Sequence, residues 1–378
     1  MILLLHNRYR VPGGEERAVE DLAWLIRTEL GEEVEVLERD SAALGRRRAA
    51  LGLLRGGLAP DDVAAAVRRT GARVVHAHNL QPSLGWRALA AARGAGARVV
   101  LHLHNYRLVC AVATCFTRGE DCTRCHGRNT LPGVRLNCRG GSRAEAVAYG
   151  AGLALGQRRL VTSADAFVVP SNSALRRLEQ LGMRLQPRAH VIPSVQRSFA
   201  DRSHAGTGEY ALYAGRLAAE KGVADAIAAC RLAHVPLVIA GEGPDGARLR
   251  AIAASRADGA ASAPVRFAGR VEPAELAELR AAAGLAVVPS RYEEILPLAA
   301  LEAMAAGLPV MASRTGGLAE FVPAQGLHPA GDVFAMADRI TALWRNAAAG
   351  EAALAVARRR TAPAVVAAAL RAVYEAAS

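Results

Sequence analysis

The sequence predicts an α/β protein of two doubly wound domains, each a parallel sheet with helices on both faces. Three observations carry this. Short apolar runs alternate with helical patterns along nearly the whole chain, and that alternation builds parallel strands joined by right-handed crossovers. The composition is 52% hydrophobic and 22% charged with only 4% aromatic residues, which suits helices packed on buried strands and not a disordered or base-stacking chain. A length of 378 residues fits two domains of roughly 150 each.

The first series opens with an apolar strand at Ile2–His6 and a helical pattern over Glu15–Leu30. Further strands are expected at Val34–Leu37, Val74–His76, Val99–Leu103, Phe167–Val169 and His190–Ile192. Helices are expected at Gln81–Arg93 and at Ser171–Leu181, where Ser171 after Pro170 reads as an N-cap. The polar stretch Ser198–Glu209 marks a linker. The second series places strands at Tyr210–Ala214, Pro236–Ala240, Val265–Ala268, Leu285–Val288 and Pro309–Ala312. Helices fall between them at Val223–Cys230, Gly246–Ala254, Pro273–Ala283 and Leu298–Ala306, and the tail from Asp332 to Ser378 is alanine-rich and helical. The expected domains are residues 1–197, with a cysteine-bearing loop at 104–141, and residues 209–345. A tail, 346–378, is expected to pack back on the first domain. Ligands should bind at the carboxyl ends of the strands, in a cleft that the two domains face.

Net charge is +12 and the pI about 10.2, which favours anionic partners such as nucleotides, phosphorylated lipids or a membrane surface. The arginines are scattered through helical patterns without a nucleic-acid motif, so no nucleic-acid partner is expected. No apolar run approaches the ~20 residues of a membrane span. Met1–Leu5 is too short for a signal-peptide core and lacks a basic flank, so a cytoplasmic location is expected. Peripheral membrane contact stays open, because Leu37–Asp61 carries Arg46, Arg47, Arg48 and Arg55 among leucines; a solvated basic helix or loop is the plainer reading. In that compartment the six cysteines are thiols or metal ligands, not disulfides.

Lys221 is the only lysine in the chain, and the other 46 basic residues are arginine. It lies in Gly215-Arg216-Leu217-Ala218-Ala219-Glu220-Lys221-Gly222, directly after an apolar strand. A compact ammonium differs from a planar guanidinium, and two cations beside glycines at a strand end make a phosphate clamp. A chance survivor on a solvated surface would look the same from position alone. A second string runs from Pro289 to Val310: the strand ends at Pro289, a loop carries Glu293 and Glu294, and a helix starts near Leu298 with Glu302 one turn in. Its N-terminus offers free N–H groups to a phosphate, and two carboxylates beside an anion site can grip neutral hydroxyls.

Taken with Gly215-Arg216-x4-Lys221-Gly222, the Glu294-x7-Glu302 string resembles glycosyltransferase family 4, the retaining nucleotide-sugar enzymes of GT-B fold. Ala240-Gly241-Glu242-Gly243-Pro244, Phe267-Ala268-Gly269-Arg270-Val271 and Thr315-Gly316-Gly317-x2-Glu320 are similar to further family strings, as is His6-Asn7-Arg8-Tyr9 with Gly13-Gly14-Glu15. The resemblance implies that Arg216 and Lys221 neutralise the donor diphosphate, Glu294 holds donor-sugar hydroxyls and Glu302 the ribose. It puts the base at the backbone of Arg270 and Val271, and Leu298 at the helix start facing the donor. Gly13 and Gly14 would admit phosphates or acceptor closely, and His104 would lie by the donor sugar and acceptor, although a buried structural histidine also fits that residue. The acceptor implied is a sugar, a lipid-linked glycan or a small natural product, and a UDP-sugar is the favoured donor. No catalytic metal is expected, since cations and a helix N-terminus serve instead. Pro297 departs from the family string, where a glycine-containing stretch is usual, and removes one N–H donor. A nucleotide-sugar epimerase or phosphorylase of the same fold and a non-catalytic sugar-binding protein are the alternatives.

Five cysteines, Cys110, Cys115, Cys122, Cys125 and Cys138, fall within 29 residues. Cys122-x2-Cys125 has the spacing of zinc ligands, Cys138 follows, and Cys110 or Cys115 can complete a structural four-thiolate site. Thiols without metal are the other reading. A subset of the resembled family carries a similar loop after His104-Asn105-Tyr106-Arg107, and that likeness favours Cys110 as the fourth ligand.

Overall fold

The apolar N-terminal run is strand β1 (Ile2–Arg8), whose first four residues are fully buried. It lies between two parallel neighbours: Ile2 is in register with Val34 of β2 (Val34–Asp40) and with Val74 of β3 (Val74–Ala77). Burial on both faces explains why these strands read as continuous apolar runs. The computed structural model describes residues 1–10, 13–139, 141–255 and 263–376. It divides into one unit of Met1–Thr117, Cys122–Val195 and Pro363–Ser378, and another of Arg118–Asp121 and Gln196–Ala362.

In the first unit α1 (Gly14–Thr28), α2 (Arg46–Arg55) and α3 (Pro60–Thr70) precede β3, and α4 (Gly85–Gly94) leads to β4 (Arg98–His102). The cysteine loop holds two short strands, β5 (Phe116–Thr117) and β6 (Glu120–Asp121), and the one-turn helix α5 (Leu131–Arg135). Then come α6 (Arg143–Ser163), β7 (Ala166–Val169), α7 (Asn172–Gln180) and β8 (Ala189–Val191). Ser171 caps α7, its hydroxyl accepting from the Ala174 N–H at 3.1 Å. The sheet order is β2-β1-β3-β4-β7-β8, all parallel.

The second unit runs β9 (Tyr210–Ala214), α8 (Val223–Leu232), β10 (Leu237–Ala240), α9 (Gly246–Ala254), β11 (Val265–Gly269), α10 (Pro273–Ala281) and β12 (Ala283–Val288). It continues with α11 (Leu298–Ala305), β13 (Val310–Ser313), α12 (Gly316–Phe321), β14 (Leu327–His328), α13 (Val333–Leu343) and α14 (Ala347–Thr361). Its order is β11-β10-β9-β12-β13-β14, again parallel. One face buries Ile227, Leu249, Met336 and Ile340; the other buries Ala300, Met304, Leu318 and Ala353. The last helix, α15 (Pro363–Glu375), belongs to the first unit, where Val366, Leu370 and Val373 join Leu22 and Ile26 of α1 over the sheet.

Strand order reverses between β9 and β12 in the second sheet and between β1 and β3 in the first. In open α/β sheets the crevice at such a reversal, at the carboxyl ends of the strands, is where ligands bind. Two sequence expectations shift. The helix expected at Gln81–Arg93 begins only at Gly85, since Pro82 biases Gln81 away from helical backbone. Within Leu37–Asp61 the strand runs on to Asp40 before α2 starts.

Candidate active site

In the second unit, Gly215 to Lys221 follow β9 and Pro289 to Glu294 follow β12, so both strings leave adjacent strands at the reversal. Two glycines bring them together. Gly222 has φ +67°, and a Cβ there would stand 2.1 Å from the Pro289 carbonyl oxygen. Gly316 has φ +45°, and a Cβ there would stand 2.6 Å from the Glu294 carbonyl oxygen. Any larger residue would push these loops off Glu294. The Arg291 N–H also donates to the Glu220 carbonyl at 2.8 Å, and the Arg291 guanidinium grips Asp225 at 2.7 and 2.5 Å.

The product is an ion pair between a half-buried Lys221 and a buried Glu294. Lys221 Nζ donates to Glu294 Oε1 at 2.8 Å and to the Tyr292 hydroxyl at 3.3 Å, and it lies 5.0 Å from the Tyr292 ring centre. The Ser290 hydroxyl donates to the same carboxylate oxygen. Burial alone would lower the Lys221 pKa, but the Glu294 charge outweighs it and holds the ammonium above its ordinary value. Tyr292 is pushed up to about 12, first by burial and then by Glu294. Lys221 is therefore a half-buried positive charge, fixed by its carboxylate partner.

Arg216 is not brought into this pair. Its side chain is 58% exposed and is held by Glu220 one turn on. Glu302 pairs with Arg280 of α10, both largely shielded from solvent. Leu298 opens α11 behind Pro297, whose carbonyl accepts from the Leu301 N–H at 3.0 Å. Arg270 and Val271 follow β11, where the Gly269 carbonyl accepts from the Gly241 N–H at 2.6 Å beside the end of β10.

In the first unit the reversal gathers imidazoles that sequence reasoning, which singled out His104, missed. His6, His78 and His102 occupy one row across β1, β3 and β4, with His76 below and His104 above. His78 Nδ1 and His104 Nε2 are 2.8 Å apart, His76 Nε2 and His102 Nδ1 3.3 Å, and His76 Nδ1 is 2.7 Å from the Tyr374 hydroxyl of α15. The signal was His76-x-His78 and His102-x-His104, since alternate strand residues share a face. Nitrogens of His76, His78 and His102 all lie within 4.8 Å of one another, the span of a shared ion. Their hydrogen bonds among themselves and to Tyr374 already engage them in part. Burial lowers His76 to about 3 and holds His78 and His102 well below the ordinary value; His104 is also lowered, with Glu15 opposing.

Beside this array Tyr9 donates to Glu15 Oε2 at 2.8 Å, and Asn105 Nδ2 donates to the same oxygen at 3.2 Å. Gly13 precedes Gly14, the first residue of α1, and its N–H donates to Glu16 Oε2 at 2.7 Å. Burial would raise Glu16, but the His6 ring 3.7 Å away and the Tyr9 and Gly13 N–H groups bring it down to about 2. Glu15, His78, His102, His104, Asn105 and Arg107 line a cavity of about 50 Å³.

The cysteine loop closes on itself. Cys110, Cys122, Cys125 and Cys138 line one cavity of about 20 Å³, and Cys115 lines it too. A hydrogen bond with the Cys115 side chain brings the Cys110 thiol down to about 6, while burial raises Cys125 to about 11. Thiols converging on one small cavity are a donor set that suits a tetrahedral soft-ligand ion such as zinc.

Residues 12–194 match the family model described as "Glycosyl transferase 4-like domain", and residues 208–346 match "Glycosyl transferases group 1". The chain belongs to glycosyltransferase family 4. The first match contains His76, His78, His102, His104 and the cysteine loop, the second the Lys221–Glu294 pair. Among curated relatives of this glycosyltransferase, glycogen synthase of Mycobacterium tuberculosis is 42% identical over 134 residues, 32% of this chain and 30% of that protein. D-inositol 3-phosphate glycosyltransferase 2 of Catenulispora acidiphila is 52% identical over 58 residues, 15% of this chain and 13% of that protein. The matched stretches thus span less than a third of either relative. Solved structures extend the likeness to the full length of the fold. Sucrose-phosphate synthase from Thermosynechococcus elongatus has a TM-score of 0.69 at 18% identity, covering 100% of this chain and 99% of that one. Anabaena HepE in complex with UDP and glucose has a TM-score of 0.63 at 19% identity, covering 99% of each. The architecture is GT-B: two parallel six-stranded sheets with helices. Among the described residues no helix is long and apolar enough to cross a membrane.

Proposed function

We propose that this glycosyltransferase moves a sugar from a nucleotide diphosphate donor, a UDP-sugar in the favoured case, to an acceptor hydroxyl with retention of configuration. The observation that carries the reading is the Lys221–Glu294 pair at the carboxyl ends of β9 and β12. A half-buried ammonium held in its charged form by Glu294 can meet the diphosphate, and its tether to Glu294 sets that carboxylate where sugar hydroxyls would lie. As the glycosidic bond to phosphate breaks, negative charge grows on the departing oxygen, and Lys221 with the exposed Arg216 stabilises it. The acceptor oxygen bonds to the sugar carbon on the same face, and its proton passes to the leaving phosphate oxygen. Protein work is then positioning and charge stabilisation. Glu302, freed from Arg280, would take the ribose hydroxyls, and the backbone at Arg270 and Val271 the base. Leu298 at the start of α11 would face the donor phosphates. Gly13 and Gly14 would admit phosphates or acceptor closely, and His104, in the cavity with Glu15 and Asn105, would contact the reacting groups. The acceptor class we favour is a polyprenyl-linked glycan over a small natural product, in a cytoplasmic setting.

We also propose that Cys110, Cys122, Cys125 and Cys138 hold a structural zinc. The ion would supply folding energy to a loop with little apolar core of its own.

The test is a panel of UDP-, GDP- and dTDP-sugars, scored for thermal shift and nucleotide release with and without hydroxyl acceptors. A shift plus acceptor-dependent release, with the product anomer matching the donor by NMR, is the expected result. No shift with any donor sinks the reading. Donor conversion without acceptor identifies an epimerase instead, and donor binding without turnover a sugar-binding protein.

A further inference from the structure

Among the described residues nine large apolar side chains are exposed, and five of them fall on α2, α5 and α6: Leu51, Leu54, Leu131, Val147 and Leu155, each between 39% and 54% exposed. The same stretches are basic. Residues 41–59 and 122–163 hold eleven arginines against a single acid, Glu145. Coincidence of exposed leucine with unopposed arginine is unusual for a solvated face, which normally mixes both signs of charge.

Helix geometry shows that these side chains share one surface. Gly150 of α6 meets α5, since a Cβ there would lie 2.5 Å from Val134 Cγ2; Gly152 meets α2, since a Cβ there would lie 3.0 Å from the Leu53 carbonyl oxygen. At about 100° per residue those two directions are roughly 200° apart, so α5 and α2 flank α6. Leu153, Gln157 and Leu160 point to the interior. Val147, Ala151, Leu155 and Arg158 form the opposite ridge, between the two flanking helices. On α2, Leu53 faces α6, whereas Arg47, Leu51 and Leu54 share the outer side with Arg48 and Arg55 beside them. Among the described residues none of Arg46, Arg47, Arg48 and Arg55 is tied up in an ion pair.

We propose that the outer layer α2–α6–α5 docks on an anionic lipid bilayer, with the leucines and valine at the acyl boundary and the arginines on the phosphate headgroups. The chemistry selects this occupant. An isologous contact with a second copy would set arginine against arginine. A nucleic acid would use the arginines but leave the leucine ridge in water. A membrane interface satisfies both, as for an amphipathic helix lying in the headgroup plane. The inference stands apart from the transfer reaction and holds whatever the donor.

Vesicle co-sedimentation of the full chain tests it. Phosphatidylcholine vesicles with about one-third phosphatidylglycerol should bind the protein at least ten-fold better than phosphatidylcholine alone, with binding weakened by salt. Arg47→Gln with Arg48→Gln should weaken binding by about five-fold per arginine. Leu54→Gln with Leu155→Gln should weaken it comparably while leaving the thermal midpoint unchanged, because both side chains are exposed. The proposal is overturned if the leucine variants bind like the parent. It is equally overturned if inorganic phosphate at millimolar concentration displaces the protein completely, which would mark a free-anion site. Light scattering that shows a dimer lost in the leucine variants would assign the face to self-association and overturn it too.

Discussion

At Lys221 the ammonium is placed by two oxygens and a ring: Glu294 at 2.8 Å, the Tyr292 hydroxyl at 3.3 Å, and the ring beneath. An arginine there would engage Glu294 with two parallel N–H donors and spread its charge over a larger plane. Lys221→Arg should therefore fold normally yet lower kcat by about ten-fold, roughly 1.4 kcal/mol of transition-state stabilisation, in a steady-state assay with saturating donor. Full activity would make the solitary lysine an accident of composition. Glu294→Gln probes the other partner. Burial is the largest influence on Lys221 and acts downward; the carboxylate reverses it. Without that charge the lysine should titrate below its ordinary value, and the alkaline limb of kcat should move down in pH. The raised pKa in the parent means that any stability tied to Lys221 is intact below about pH 10.5 and fades only above it.

The strands β3 and β4 carry the clearest element-scale consequence. They hold four histidines neutral, lowered by burial and facing Tyr374, Glu15 and one another. A histidine lowered in the folded state stabilises fully above its unfolded pKa of about 6.5, and that stability is lost as pH falls toward the folded value, about 3 for His76. The unfolding free energy from denaturant titrations should fall between pH 6.5 and 4, by up to roughly 1.4 kcal/mol per pH unit for His76. Replacing His102 by Asn should flatten that slope, and a parent curve that is flat across this range would refute the account. The cysteine loop makes a second element-scale case: fresh protein should carry about one zinc per chain, and a strong chelator should lower the thermal midpoint. Metal content well below one equivalent rejects the site. Most strands and the helices between them were legible because a doubly buried parallel strand is an apolar run. The 21-residue helix α6 was not, because Gly150, Gly152 and Gly156 stand where its apolar stripe would be, trading side chains for close helix contacts. The Arg216/Lys221 and Glu294/Glu302 strings were legible as motifs, but their pairing was not. Arg216 turns to its own neighbour Glu220 one helical turn on, whereas Glu302 meets Arg280 from a different helix, 22 residues away.

At the scale of the whole molecule the chain threads both sheets before α15 returns to the first unit, while α14 stays with the second. The return matters energetically. Val366, Leu370 and Val373 are nearly fully buried against α1 and the sheet, and Tyr374 supplies the hydroxyl that meets His76 Nδ1 at 2.7 Å. Burying each large apolar side chain contributes about 1.5–3 kcal/mol, so three of them rival the entire 5–15 kcal/mol margin typical of a folded domain. Deleting 363–378 should therefore strip hydrogen-exchange protection from α1 and from β1 and β3, whose packed face it uncovers. Tyr374→Phe keeps the packing but leaves a buried imidazole nitrogen without its partner, a loss of about 1–3 kcal/mol. Chemical denaturation should rank the parent above the phenylalanine variant and that variant well above the truncation. If truncation leaves exchange in α1 unchanged, the tail is an appendage and the histidine array is held by the strands alone.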